Sequence, residues 1–142
     1  LSTTAKEPHK WEYSHLEVGF NYRMPNLNAA LACAQLEKLD LFIEKKRNLA
    51  SKYALHFEKS EIQFITEEQG SKANYWLNTV KLENVEARND FLEFTNSNGI
   101  MTRPAWKLMT DLPMYANALK GDLEVSVRLV NRLVNIPSSV II

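Results

Sequence analysis

The chain has 142 residues, of which 45% are hydrophobic, and its 17 Lys and Arg balance its 17 Asp and Glu. This length can bury roughly 68–70% of the unfolded surface, and the balanced charge lacks the basic surface expected of a nucleic-acid or anionic-membrane binder. Cys33 is the only cysteine and the three histidines lack metal-ligand spacing, which excludes a disulfide framework and argues against a metal site. We expect a soluble protein of the reducing cytoplasm, without a membrane span.

Residues 1–25 predict a connector that ends in a tight turn. Residues 19–28 read Gly-Phe-Asn-Tyr-Arg-Met-Pro-Asn-Leu-Asn and join this turn to a helix start. They present the amide of Asn21, the phenol of Tyr22 and the guanidinium of Arg23 beside unpaired backbone N–H groups, an arrangement that suits an anion. The alternatives are that Asn21 bonds its own turn and that Arg23 pairs with an acidic neighbour.

From Asn26, a candidate N-cap, apolar residues recur with helical spacing as far as Phe57, which predicts one long helix or two consecutive segments. Residues 29–34 are mostly alanine and place small side chains on nearly every face, so we expect close neighbours on several sides. A position inside the core would explain them, but we favour a contact with a second subunit or a missing domain. Glu44 and Arg47 are expected to form a weak pair on a solvated face.

The rest of the chain predicts short strands and helices. We expect strands at residues 62–65, 75–82 and 100–103. A helix capped by Asn84 should end at Asn98-Gly99, and a last helix should begin at residue 121, end before Pro137 and include Leu123, Val127, Val130 and Val134. The pattern indicates an α+β fold, in which the long N-terminal helix packs on a short, mostly antiparallel sheet with helices on one face.

A second candidate site follows the third predicted strand, at the sequence Thr-Arg-Pro-Ala-Trp of residues 102–106. Pro104 holds Arg103 in an extended conformation, so the loop leaves the strand in a fixed direction. Trp106 offers a flat apolar wall with one N–H donor, which suits a sugar or a base. The alternative is that Trp106 packs in the core.

Together these segments resemble the C-terminal part of the sugar-nucleotide aminotransferases of PLP fold type I, the DegT/StrS-type family. The resemblance rests on five segments in the family's order: residues 19–24, 35–39 (Gln-Leu-Glu-Lys-Leu), 102–106, 112–115 (Leu-Pro-Met-Tyr) and 135–139 (Asn-Ile-Pro-Ser-Ser). It implies that residues 1–25 lead from a PLP-binding large domain and that residues 26–142 form the small C-terminal domain.

The resemblance implies an enzyme that moves an amino group from glutamate to a keto-sugar through pyridoxal 5'-phosphate (PLP). The chain most resembles enzymes that aminate C4 of UDP-linked keto-sugars on the way to bacillosamine or legionaminic-type acids, components of cell-surface polysaccharides. By the same resemblance, Asn21, with Tyr22 and Arg23, would contact the PLP phosphate of the neighbouring subunit in a homodimer. Arg103 and Trp106 would contact the sugar-nucleotide substrate.

The resemblance also has gaps. Leu108 and Thr110 stand where many members carry Pro and His, so a substrate contact by that histidine is not expected. The family's Schiff-base lysine, the aspartate that pairs with the pyridinium nitrogen and the ring-stacking aromatic residue would precede Leu1, so we expect this chain alone to be inactive. The alternative functions are a stand-alone α+β ligand-binding module and a purely structural dimerisation module, neither of them catalytic.

Overall fold

The computed structural model describes residues 6–7, 10–12, 14–15, 18 and 24–140. Strands β1 (Lys6–Glu7) and β2 (Ser14–His15) form an antiparallel pair. The elements that follow are α1 (Asn26–Leu36), α2 (Leu39–Phe57), β3 (Gln63–Phe64), β4 (Asn78–Lys81), α3 (Val85–Ser97), β5 (Arg103–Pro104), α4 (Glu124–Val130) and β6 (Leu133–Ile136). Two short 3₁₀ helices, Met109–Asp111 and Pro113–Tyr115, lie between β5 and α4.

Strands β3 to β6 form one antiparallel sheet in the order β3-β4-β6-β5. Because β6 pairs with both β4 and β5, these two strands run in the same direction, and α3 connects them in a split β-α-β unit. The register places Val80 opposite Val134, and Arg103 opposite Asn135. Since successive side chains alternate between the two faces, Arg103 and Asn135 lie on the face opposite to Val134.

The core lies on one face of this sheet. Val80 and Val134, at its centre, have 0% exposed surface. They pack with residues from both helices that cover this face and from the neighbouring strands, namely Ala50, Phe64, Leu82, Leu92 and Ile136. The predicted α+β fold, with helices on one face of an antiparallel sheet, is confirmed.

The long N-terminal helix consists of two segments, α1 and α2, which are interrupted at Lys38. The prediction that Asn26 caps it was wrong: Asn26 is its first helical residue, and Pro25 occupies the N-cap without a side-chain hydrogen bond. None of the residues of α1 is buried, and Leu27 and Leu31 are exposed. Its alanine-rich part therefore does not lie within the core of this chain.

Asn84 caps α3 as predicted, because its Oδ1 accepts a hydrogen bond from the Ala87 N–H at 2.8 Å. The predicted stop is also present, since Gly99 follows the helix with a left-handed φ of 76°. We expect Asn84→Ala to lower the free energy of unfolding by about 1 kcal/mol in urea titrations, because one N–H of the first turn loses its acceptor. Asn84→Ser, which keeps an acceptor, is the control, and an equal loss in both variants would contradict the capping role.

The prediction of a last helix that includes Val134 was wrong. Helix α4 ends at Val130, and Val134 lies in β6, where it is buried opposite Val80. Valines four residues apart fit a helical period, but the β-branched Val134 and Ile136 alternate with Leu133 and Asn135 as in a half-buried strand. The other predicted strands are present, although each is shorter than expected or shifted by a few residues.

Candidate functional site

The three predicted cofactor contacts, Asn21, Tyr22 and Arg23, lie outside the described residues. The structure does describe the helix start that follows them. Helix α1 has no side-chain cap and no acidic residue in its first turn, and residues 26–28 are exposed. Their backbone N–H groups have no partner within the helix, so this end of α1 favours an anion.

Arg103 lies on β5, on the sheet face opposite the core. The residue before it, Thr102, is buried and shares a 2.6 Å hydrogen bond with the hydroxyl of Thr95, while its Oγ1 also accepts from Asn96 Nδ2 at 2.9 Å. These bonds attach β5 to α3 and direct Arg103 to the other face. There its Nη1 donates a hydrogen bond to the carbonyl oxygen of Lys10.

Residues 10–12 of the connector therefore lie beside β5. Besides the Lys10 contact, Lys107 Nζ is 3.4 Å from Glu12 Oε2 in an ion pair that is nearly half exposed, so its contribution is less than about 1 kcal/mol. Trp11 and Glu12 also line a cavity of about 380 Å³ together with Leu92 and Pro104. The connector and the strand that carries Arg103 are thus neighbours.

Trp106 contacts a second tryptophan that the sequence analysis did not select. The rings of Trp76 and Trp106 are stacked, with centroids 6.1 Å apart and planes 23° from parallel. Trp76 is 66% exposed and Trp106 is 47% exposed, and neither residue belongs to the core cluster. The alternative that Trp106 packs in the core was wrong. Trp76 was missed because it stands within the alternating pattern of a predicted strand, whereas β4 begins only at Asn78.

The loop between β3 and β4 is held by a salt bridge to α2. Arg47 donates through Nη1 and Nη2 to the two carboxylate oxygens of Glu67, at 2.9 and 2.7 Å, and through Nη1 to the Ala73 carbonyl at 2.6 Å. The same carboxylate accepts from the Ala73 N–H at 2.6 Å. The expected pair of Arg47 with Glu44 was wrong, because the guanidinium faces this loop and is only partly exposed.

The hydrogen bonds from Arg47 and then from the Ala73 N–H lower the pKa of Glu67 from 4.5 to about 2. A carboxylate with a depressed pKa stabilises the fold above its unfolded pKa, and this contribution is lost as the pH falls from about 4.5 to about 2. We expect Glu67→Gln to lower the Tm at pH 7, and the difference from the wild type to shrink across that pH range. This difference in Tm is measured by thermal unfolding from pH 7 to pH 2. The control is Glu68→Gln, because Glu68 is exposed. A Tm difference that stays constant with pH would contradict the assignment.

Lys46, next to Arg47 on α2, fixes the backbone of Trp76. Its Nζ donates to the carbonyl oxygen of Trp76 at 3.2 Å and to that of Ser138 at 2.8 Å, and its partial burial lowers the pKa of Lys46. The Trp76 N–H in turn donates to Asn74 Oδ1 at 2.9 Å. Both backbone polar groups of Trp76 therefore have partners while its ring remains exposed.

Comparison with known proteins assigns this chain to a family. The model of the DegT/DnrJ/EryC1/StrS aminotransferase family matches residues 2–142. The chain belongs to this family. Its resemblance to DegT/StrS-type enzymes, predicted from five short segments, is confirmed.

Two proteins that are similar to this chain are named as a GDP-sugar synthase and a UDP-sugar transaminase. The chain is 36% identical over 129 residues to GDP-perosamine synthase of Vibrio cholerae, which covers 89% of this chain and 35% of the relative. It is 40% identical over 50 residues to the UDP-4-amino-4,6-dideoxy-N-acetyl-beta-L-altrosamine transaminase of Campylobacter jejuni, or 35% of this chain and 13% of the relative. The chain spans about a third of the length of the curated relatives that it matches most extensively.

The fold is also similar to that of solved aminotransferases. Helicobacter pylori PseC, an aminotransferase involved in the biosynthesis of pseudoaminic acid, superimposes with a TM-score of 0.72 at 17% identity. The match covers 96% of this chain and 38% of PseC. The fold is thus conserved where most residues differ.

The described residues contain neither a membrane-spanning helix nor a metal-binding cluster. Across the part of the chain that the structure describes, no helix is both long enough and apolar enough to cross a bilayer. In those same residues, no group of three or more His, Cys, Asp or Glu side chains could hold a metal ion.

Proposed function

We propose that the protein is a PLP-dependent aminotransferase that moves an amino group from glutamate to a UDP-linked 4-keto-sugar. The observation that carries this proposal is the match of the family model to residues 2–142. The names of two relatives, one a GDP-sugar synthase and the other a UDP-sugar transaminase, support a nucleotide-linked sugar as substrate. Synthesis of cell-surface polysaccharide in the cytoplasm is the proposed setting.

Within such an enzyme, residues 1–25 would be the connector from the PLP-binding large domain, and residues 26–142 the small C-terminal domain. The compact core formed by α2, α3 and the four-stranded sheet supports the second part of this division. The contacts of Lys10 and Glu12 with Arg103 and Lys107 are compatible with the first part, because they place residues 10–12 next to the C-terminal domain. We propose that these 142 residues have no aminotransferase activity by themselves.

Asn21, Tyr22 and Arg23 would hold the phosphate of PLP bound mainly by the large domain of the neighbouring subunit. PLP, when bound, supplies an electron sink for amino transfer. The amide, phenol and guanidinium are all hydrogen-bond donors suited to a phosphate. The uncapped, exposed start of α1, without a carboxylate in its first turn, supports an anion at this place.

A homodimer would account for α1. This helix buries none of its residues, and its leucines are exposed, including Leu27, Leu31 and Leu36. Several large apolar side chains left uncovered on one helix typically mark a protein contact. We propose that a second copy of the protein covers them and that the two-fold contact brings Asn21 to the neighbouring cofactor.

Arg103 and Trp106 would bind the sugar nucleotide. A guanidinium can donate two parallel hydrogen bonds to a phosphate, so Arg103 suits the diphosphate. An indole offers a flat surface to a sugar ring or a base, and Trp106 is 47% exposed. The buried Thr102 anchor supports the role, because it fixes the direction in which Arg103 leaves β5.

The test is a reaction of the complete polypeptide with PLP, glutamate and a UDP-linked 4-keto-6-deoxy-hexose. We expect equal amounts of 2-oxoglutarate and UDP-linked 4-amino sugar by mass spectrometry, and slower conversion of a GDP-linked 4-keto sugar. A folded protein that forms no amino sugar from either donor would overturn the proposal. Faster use of the GDP-linked sugar would overturn the choice of nucleotide alone.

A further inference from the structure

The segment that carries the exposed ring of Trp76 is held by hydrogen bonds from α2. We propose that Lys46, Arg47 and Glu67 are positioning residues, which hold the Trp76 indole against Trp106 as a second wall of the substrate site. The identity of the ligand, a nucleotide-linked sugar, rests on the proposed function above. The stacking of the two rings is observed in the structure and does not depend on that function.

The backbone before Trp76 is strained. Tyr75 has a φ of +48° and is the single non-glycine residue with a positive φ among those the structure describes. Bulky residues rarely adopt this conformation, and it persists only where neighbouring contacts enforce it, often next to a functional site. Here the Tyr75 hydroxyl accepts from the Glu67 N–H at 3.2 Å, and the Arg47 guanidinium lies 5.7 Å from the centre of its ring.

This strained turn separates two neighbouring aromatic side chains. The ring of Tyr75 is stacked on Phe64 in the core, with centroids 6.5 Å apart. The next residue, Trp76, leaves the core, and its ring lies on Trp106. Lys46 binds the Trp76 carbonyl from one side, and Arg47 binds the Ala73 carbonyl three residues earlier. Lys46 and Arg47, which both lie on α2, thus fix the segment that carries Trp76.

Trp76 contributes little to the core, because it is 66% exposed and lies outside the core cluster. Both indoles are partly exposed, so the stacked pair presents aromatic surface to solvent, most of it on Trp76. A planar base or the apolar face of a sugar ring can stack on such a surface. The diphosphate of the same ligand would be met by Arg103, which precedes Trp106 by three residues.

The ligand contact is tested by replacing Trp76 with Leu in the complete polypeptide. Calorimetric titration with UDP-N-acetylglucosamine should give a Kd at least about fivefold weaker than in the wild type. With the keto-sugar substrate, KM should rise more than kcat falls. Phe94→Leu is the matched control, because Phe94 is also a largely exposed aromatic residue, at 68%, and lies on α3; it should leave both values unchanged.

The positioning role is tested by Lys46→Met and Glu67→Gln. Both variants should lose much of the near-ultraviolet circular dichroism of the coupled indoles and raise KM, with an unchanged far-ultraviolet spectrum. Lys46→Arg, which keeps a donor, should restore the signal, and Lys52→Met, at an exposed lysine of the same helix, should not alter it. If the indole signal persists in both variants, the positioning role is overturned.

The binding measurements distinguish a failure of the Trp76 wall from a failure of the proposed function. If the wild type binds UDP-N-acetylglucosamine and Trp76→Leu binds it equally well, the second wall is overturned and the proposed function stands. If neither UDP-N-acetylglucosamine nor the keto-sugar binds to the folded wild type, the proposed function and the wall are both overturned. If Trp76→Leu changes the association state of the protein and not the Kd, the ring belongs to a protein contact and the inference is wrong.

Discussion

Replacing Val134 by Asp should lower the free energy of unfolding by more than about 4 kcal/mol, the range of a buried unpaired charge. Val134 has 0% exposed surface and lies opposite Val80 on β4 and Pro104 on β5. A carboxylate there has no cation in the core cluster to pair with. Because a domain of this size is stable by only about 5–15 kcal/mol, a large part of the stability would be lost. Urea unfolding followed by circular dichroism measures the loss.

Asn135→Asp is the matched control for this substitution. It introduces the same side chain one residue later, on the opposite face of β6, where Asn135 Oδ1 already accepts a hydrogen bond from the Thr79 hydroxyl at 2.8 Å. A carboxylate oxygen can accept the same bond, so we expect a change within about 0.5 kcal/mol. If Val134→Asp were tolerated as well as Asn135→Asp, the alternation of faces in β6 would be wrong.

The error at Val134 shows what local pattern can and cannot predict. The cap at Asn84 and the stop at Gly99 were predicted correctly, since both depend on residues within a few positions of the helix ends. The end of α4 depends instead on the pairing of β6 with β4, more than fifty residues earlier. A spacing of four residues between Val130 and Val134 carries no information about that pairing.

The same reason explains the wrong partner of Arg47. Glu44 is its neighbour along α2, and helix spacing alone favours that pair. The actual partner, Glu67, follows twenty residues later, beyond β3. Trp76 was missed for a related reason, because its exposure results from the turn at Tyr75 and from bonds to α2. Neither the positive φ of Tyr75 nor the hydrogen bond from α2 can be read from the sequence around Trp76.

The candidate site was predictable where it depended on short motifs. The segment that contains Arg103 and Trp106 was selected from the residues around Pro104, and the structure places Arg103 opposite the core and Trp106 at the surface. Their roles toward substrate stay predictions. The same is true of Asn21, which lies outside the described residues and whose role follows from the family resemblance and from the chemistry of its amide.

In the complete protein, Asn21→Ala should weaken PLP binding by between about tenfold and a hundredfold. A hydrogen bond to a charged group contributes about 1.5–3 kcal/mol, and each 1.4 kcal/mol changes the Kd tenfold. Titration of the PLP-free enzyme with PLP, followed by its absorbance, measures the Kd. Asn48→Ala is the matched control, because Asn48 is an exposed asparagine on α2 and is not a proposed phosphate contact.

Mixed dimers test whether Asn21 acts across the two-fold contact. Subunits with Asn21→Ala are mixed with subunits in which the Schiff-base lysine is replaced, at a PLP concentration that saturates the wild type only. If Asn21 serves the neighbouring site, a mixed dimer combines the lysine of one subunit with the Asn21 of the other and has one intact site. Random pairing should then restore about a quarter of the wild-type activity. If Asn21 acted within its own subunit, both sites of the mixed dimer would stay defective and no activity would return, which would overturn the proposed contact.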